Sequence, residues 1–242
     1  MRLFLSLVSL LIVAQAAAAA PPAETSADPT APYREAATKR WEKTIQEMER
    51  RNESEPKVED PILFIGSSSI RLWEPEKLAE DMAPFNTLQR GYGGARYSDL
   101  AVFAERVIHP HDFRAIVMFV ANDISGSAAD KTPEEAARLA QHVIDVAREQ
   151  KPDAPIFIVE ITPTPSRADV WDETRKLNAL LREMALTQPH TYFIATADHY
   201  LDAEGKARPD LFRADQLHQN EAGYEIWAQV IKQKLDQVLG GE

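Results

Sequence analysis

The sequence predicts an α/β protein in which a five-stranded parallel sheet is covered by helices on both faces. Short apolar runs recur between residues 62 and 195 with little polar alternation, the pattern of strands buried on both sides. Between them lie stretches with apolar residues three and four apart, the spacing of crossover helices. The first three runs end in serine, glycine or asparagine, and in a parallel sheet such ends converge.

Taken in order, residues 1–20 carry Arg2, an apolar core from Leu3 to Val13 and an alanine tail. That is the charge, hydrophobe and small-residue order of a secretory signal, which predicts an exported, periplasmic or secreted protein. The apolar core is short for a bilayer span, so no stable membrane insertion is expected after cleavage. Residues 21–32, rich in Pro, Ala, Thr and Asp without periodicity, read as a disordered spacer. One folded domain is expected over residues 33–242, with no internal repeat.

That domain opens with a helix over residues 33–51, in which Trp41, Ile45 and Met48 form a narrow apolar stripe among charges. The first strand, Ile62, Leu63, Phe64 and Ile65, stops at Gly66 and runs into Ser67, Ser68 and Ser69. A second strand is expected around residues 85–88, then the turn Gly91-Tyr92-Gly93-Gly94 and a helix carrying Leu100, Phe103, Ala104 and Val107. Residues 115–120 form the third strand and lead into Asn122-Asp123. Thr132, Pro133 and Glu135 make the N-cap, first and third positions of the next helix. A strand over residues 156–161, a helix over 171–184, a strand over 192–195 and a last helix over 221–238 complete the chain.

Composition removes several classes of function. A formal charge of -11 with no visible Lys/Arg cluster argues against nucleic acid. The absence of cysteine excludes disulfides, thiolate metal sites and a thiol nucleophile. His109 and His111 flank Pro110 without a carboxylate pattern for zinc. The glycine turn lacks the third glycine of a dinucleotide fingerprint. No metal and no cofactor are implied.

What remains is oxygen chemistry. Ser68 stands at a strand end, where open α/β sheets bind ligands, although a serine there can equally cap a helix. Asp215-Gln216-Leu217-His218 sets a carboxylate three residues before a histidine. At that spacing Asp215 can accept the Nδ1 proton, leaving Nε2 as a base for an otherwise weak serine nucleophile. The N–H groups of Ser68 and Gly94 and the amide of Asn122 are candidate oxyanion donors. Arg71, Trp73, Tyr92, Arg96 and Trp171 lie in or near the loops expected around the serine and are candidate substrate contacts, Trp73 and Trp171 being equally able to sit in the core.

These residues resemble the SGNH hydrolases, the GDSL-type esterases and lipases, over residues 40–235. Gly66-Ser67-Ser68-Ser69 looks like the first block in its GSSS form, Gly91-Tyr92-Gly93-Gly94 like the second, Val120-Ala121-Asn122-Asp123 like the third and Asp215-Gln216-Leu217-His218 like the last. Ser67 replaces a common Asp, Gln89 a common Asn, and Ala121 the glycine that usually precedes Asn122. The resemblance implies a flavodoxin-like three-layer α/β/α fold and ester hydrolysis through an acyl-serine, with Ser68, His218 and Asp215 as the triad. The segments between the motifs hold no long apolar insertion that could build a lipid channel. The expected substrate is therefore a small molecule or glycan carrying a short acyl group, acetyl above all, on a polar alcohol. A lysophospholipase, an acyltransferase of the same fold and a non-catalytic glycan- or lipid-binding domain are the alternatives.

Overall fold

The structure is a computed structural model and describes residues 28–240; the expected signal and most of the spacer lie outside them. Five strands, β1 (Ile62–Gly66), β2 (Thr87–Gly91), β3 (Ala115–Phe119), β4 (Ile156–Val159) and β5 (Thr191–Ile194), form one all-parallel sheet in the order β2-β1-β3-β4-β5. The seven α-helices among the described residues are α1 (Arg34–Ser54), α2 (Ser68–Arg71), α3 (Pro75–Asp81), α4 (Tyr97–Ile108), α5 (Pro133–Gln150), α6 (Trp171–Thr187) and α7 (Glu221–Leu239).

Strand pleating sorts the side chains into two cores, because successive Cβ atoms point to opposite faces. Leu63, Ile65, Ile116 and Met118 join a core shared with α1, α4, α5 and α6. Ile62, Phe64, Val117 and Phe119 join a second core, closed by Leu78 of α3 and by Trp227, Ile231 and Leu235 of α7. The result is the expected three-layer α/β/α architecture. In this order the chain leaves β1 outward to β2 and returns on the other side to β3. The crevice between the carboxyl ends of β1 and β3 is thus the topological switch point, where open sheets take their ligands.

Gly66 makes that end possible. It turns at φ +132°, and a Cβ there would fall 1.9 Å from the carbonyl oxygen of Phe119. With no side chain, the backbone can send the Ser67 N–H to that same oxygen at 2.9 Å while Gly66 O accepts from Tyr92 N–H at 3.0 Å. The serine turn is thereby fastened to both neighbouring strand ends.

Two expectations are corrected and one open choice is resolved. The second strand lies at Thr87–Gly91 rather than around residues 85–88. Its polar residues are satisfied from outside the sheet: Gln89 Nε2 donates to Ile70 O and Trp73 O at 2.6 Å each, and Arg90 reaches Asn52 Oδ1 at 2.8 Å and Glu55 at 2.9 Å. An edge strand can carry such residues, which is why apolarity alone misplaced it. Residues 28–33, partly within the expected spacer, also belong to the described fold. Asp28 accepts the Thr30 N–H at 2.8 Å and its hydroxyl at 2.7 Å, which hold its carboxyl down at about 2, and a 3₁₀ turn over Ala31–Tyr33 leads into α1. Of the two readings left open for Trp73, the structure takes the core one. The residue is 1% exposed in the second core, its ring 5.3 Å from Tyr224 and 6.0 Å from Trp227.

Candidate active site

Ser68 follows β1 as the first residue of α2, with Ser67 extended at the N-cap. Its N–H is among those a helix start leaves without an intrahelical acceptor. Ser67 and Ser69 are buried, and Ser68 is the half-buried member of the three.

His218 comes from a loop 150 residues away in sequence that is clamped at both ends. Phe212 and Gln219 form an antiparallel bridge, Arg213 N–H donates to His218 O at 2.8 Å, and Asn220 caps α7 by accepting the Gly223 N–H at 3.1 Å. Tyr224 in the first turn of α7 donates its hydroxyl to Ser69 O at 2.8 Å, tying the loop's exit to the serine turn. Within the loop, Asp215 Oδ1 accepts the N–H groups of Leu217 and His218 at 3.0 Å each, and Oδ2 lies 2.7 Å from His218 Nδ1. The His218 side chain and backbone bonds, joined by the Leu217 N–H, hold the Asp215 carboxyl at about 2. A carboxylate only accepts, so the Nδ1 proton is on the histidine and Nε2 is free to accept. His218 Nε2 lies 3.0 Å from Ser68 Oγ. This geometry can remove a proton from the serine and later return one to a leaving group.

Asn122, just beyond β3, donates Nδ2–H to Ala95 O at 2.9 Å and accepts from Arg167 Nη2 at 2.7 Å. It therefore links the loops after β2 and β3. Gly94, next to Ala95, turns at φ +74° with Arg40 and Trp41 of α1 packed against it, and does not line the cavity at Ser68. That cavity has a volume of about 30 Å³. Ser68, His218 and Asn122 line it together with Phe119, Ile161 and Phe212.

Of the four candidate substrate residues besides Trp73, Trp171 lines the cavity and the other three do not. Tyr92 is corrected to a core residue: it is fully buried, with its ring 5.2 Å from Trp41 in an edge-to-face contact. Arg96 bridges loops, donating to Ala129 O at 2.9 Å, while Arg71 is exposed beside Gly93. Arg167 and Thr162, which sequence reasoning passed over, do line the cavity. Their one sequence signal was position, in the proline-broken stretch after the fourth strand, since loops at strand ends are where sites collect.

Asp123 fastens the same region from beneath. Oδ2 accepts the Tyr97 N–H at 2.7 Å, and Oδ1 has no partner among the described residues. Burial, and secondarily Asp99, raise its carboxyl to about 7 against the pull of the Tyr97 and Ser98 N–H groups and of Arg96. Between about pH 4 and 7 the folded state thus keeps a proton that the unfolded chain has lost, so this group's contribution to stability declines as pH rises through that window. Asp123→Asn keeps the acceptor and cannot ionise. Its melting temperature relative to the native chain is expected to rise by a few degrees between pH 5 and 8, read by thermal unfolding at both pH values; a difference independent of pH counts against a neutral Asp123.

The sequence profile of the GDSL-like lipase/acylhydrolase family matches residues 65–226. The chain is 26% identical over 165 residues to GDSL lipase Rv0518 of Mycobacterium tuberculosis, covering 68% of each. Among solved structures it resembles a GDSL-like lipase from Bacteroides thetaiotaomicron (TM-score 0.66, 16% identity, 81% of this chain and 98% of that one). It also resembles a family 3 carbohydrate esterase from Talaromyces cellulolyticus (TM-score 0.56, 15% identity, 75% of this chain and 98% of that one). The chain belongs to the GDSL-like lipase/acylhydrolase family and is an ester hydrolase.

Proposed function

We propose that the protein is an exported serine esterase that removes short acyl groups, acetyl above all, from a polar or carbohydrate alcohol. His218 Nε2 takes the proton of Ser68 as Oγ attacks the ester carbonyl. The carbonyl oxygen becomes an oxyanion held by the Ser68 N–H and the Asn122 amide, the two of the three candidate donors that border the cavity. On collapse the bond to the alcohol oxygen breaks, and His218 gives its proton to that oxygen. Water, deprotonated by the same nitrogen, then attacks the acyl-serine, releasing the carboxylic acid and restoring Ser68.

The observation that carries the short acyl group is the size of the cavity beside Ser68, about 30 Å³, room for roughly two water-sized groups. Phe119, Ile161 and Phe212 form part of its lining, so a longer chain is expected to crowd packed side chains. The polar alcohol is supported by Trp171, which borders both this cavity and an open groove along α6 with Asp172, Arg175 and Arg182. Aromatic faces beside charged donors suit hydroxyl-rich groups. The carbohydrate esterase of similar fold agrees with this choice.

The test is kcat/KM along p-nitrophenyl esters from acetyl to palmitoyl, with acetylated oligosaccharides alongside. We expect a fall of about 10- to 100-fold by octanoyl, the cost of overpacking by about 1–3 kcal/mol. An optimum at eight carbons or more overturns the reading in favour of a lysophospholipase. Export rests on residues 1–20, outside the described residues, and no described helix is long and apolar enough to cross a membrane. Mass spectrometry of the secreted chain should find its N-terminus among the alanines before Pro21; full-length protein confined to the cytoplasm contradicts it.

A further inference from the structure

We propose that Arg167 is a positioning residue of the ester-hydrolysis site, fixing and polarising the Asn122 amide that faces the oxyanion. The inference rests on the acyl-serine reading above and goes beyond it to a residue outside the four sequence blocks. Arg167 sits in the 3₁₀ segment Pro165–Val170 and is partly buried against the catalytic cavity. It forms no ion pair among the described residues. Its guanidinium is spent on the loop after β3, donating from Nη1 to Ala121 O and from Nη2 to Asn122 Oδ1 at 2.7 Å.

The partners on either side leave Asn122 one orientation. Arginine has only donors, so Oδ1 must face it; Ala95 O only accepts, so Nδ2 must face that carbonyl at 2.9 Å. One Nδ2 hydrogen is thereby occupied and the other is the free donor. A cation hydrogen-bonded to an amide oxygen draws electron density from the amide nitrogen, so the remaining N–H becomes a stronger donor. The guanidinium also borders the cavity in which the oxyanion would develop. The same segment reaches the histidine loop, because Ser166 N–H donates to Gln216 O at 3.1 Å. Arg167 therefore stands on a strap between the loop that holds the amide and the loop that holds His218.

The experiment is a double-mutant cycle on kcat with a short-acyl ester. Removing an oxyanion donor costs about 10² to 10³ in kcat, and that is the loss expected for Asn122→Ala. Arg167→Ala should lose about 10- to 100-fold in kcat, part of the donor's whole effect, with KM little changed. The double variant should be no slower than Asn122→Ala alone. Added guanidinium ion should restore activity to Arg167→Ala and not to the double variant. Losses that multiply, a change in KM alone, or rescue in the absence of Asn122 overturn the proposal. Arg167→Lys keeps the charge but not the fork; it should show a smaller loss, likewise absent in the Asn122→Ala background, and it serves where the alanine variant does not fold. Failure of the underlying reading is separable: there the native enzyme shows no acylation of Ser68, whereas an acylated, active enzyme unaffected by Arg167→Ala overturns this inference alone.

Discussion

Ser68→Ala is expected to leave the fold intact and lower kcat for ester hydrolysis by about 10⁴- to 10⁶-fold, the range over which single removals of a serine nucleophile fall. The fold should survive because the hydroxyl's one side-chain partner among the described residues is His218, and alanine suits the first turn of a helix well. The loss should be large because no neighbouring serine can substitute. Ser67 is 1% exposed and Ser69 9%, and His218 Nε2 reaches Oγ of Ser68 at 3.0 Å. A fluorophosphonate probe should accordingly label the native chain at Ser68 and leave Ser68→Ala unlabelled. Labelling that persists, or moves to Ser67 or Ser69, sinks the assignment. A second readout uses non-additivity: if nucleophile and base act as one unit, Ser68→Ala with His218→Ala should be no slower than either alone. A double variant slower than both would mean that the histidine acts elsewhere.

The parts of this molecule legible in the sequence are those whose physics is local or periodic. β1, β3 and β4 read as strands because each is apolar on both faces, and both faces are buried. The cap of α5 was readable in the same way: Thr132 accepts the Glu135 N–H at 3.1 Å, as its spacing to the third helical position implied. The Asp215 and His218 pair was readable because the two lie in one turn. β2 was expected at residues 85–88 and lies a few residues later because Gln89 and Arg90 find partners in α1 and around α2 that no window of sequence contains. Arg167 escaped for the same reason, since its acceptors at Ala121 and Asn122 lie more than forty residues away. Tyr92 misled in the opposite direction, and Trp73 could be read either way. Tyr92 and Trp73 sit in sequence beside the glycine turn and the serine turn, yet their rings point into the two cores, where large apolar surface is most stabilising.

The Asp215→Asn variant should lose about 10³- to 10⁴-fold in kcat, and the loop dictates why. Two backbone donors, the N–H groups of Leu217 and His218, face the Oδ1 position at 3.0 Å each. An asparagine can satisfy them only by placing its carbonyl oxygen there, which turns its NH₂ toward His218 Nδ1. The ring must then accept at Nδ1 and carry its proton on Nε2, the nitrogen 3.0 Å from Ser68 Oγ. In that tautomer it cannot take the serine's proton. Asp215→Ala should be less harmful, because this half-exposed position lets water replace the carboxylate and leaves the tautomer free. With its carboxyl at about 2, Asp215 stays ionised through the working range and should add no step to the pH–rate profile above about pH 4. The measurements are kcat and KM for the native enzyme, Asp215→Asn and Asp215→Ala over pH 4–9. If the asparagine variant keeps full activity, or the alanine variant is the slower of the two, another group orients the imidazole and the tautomer argument is wrong.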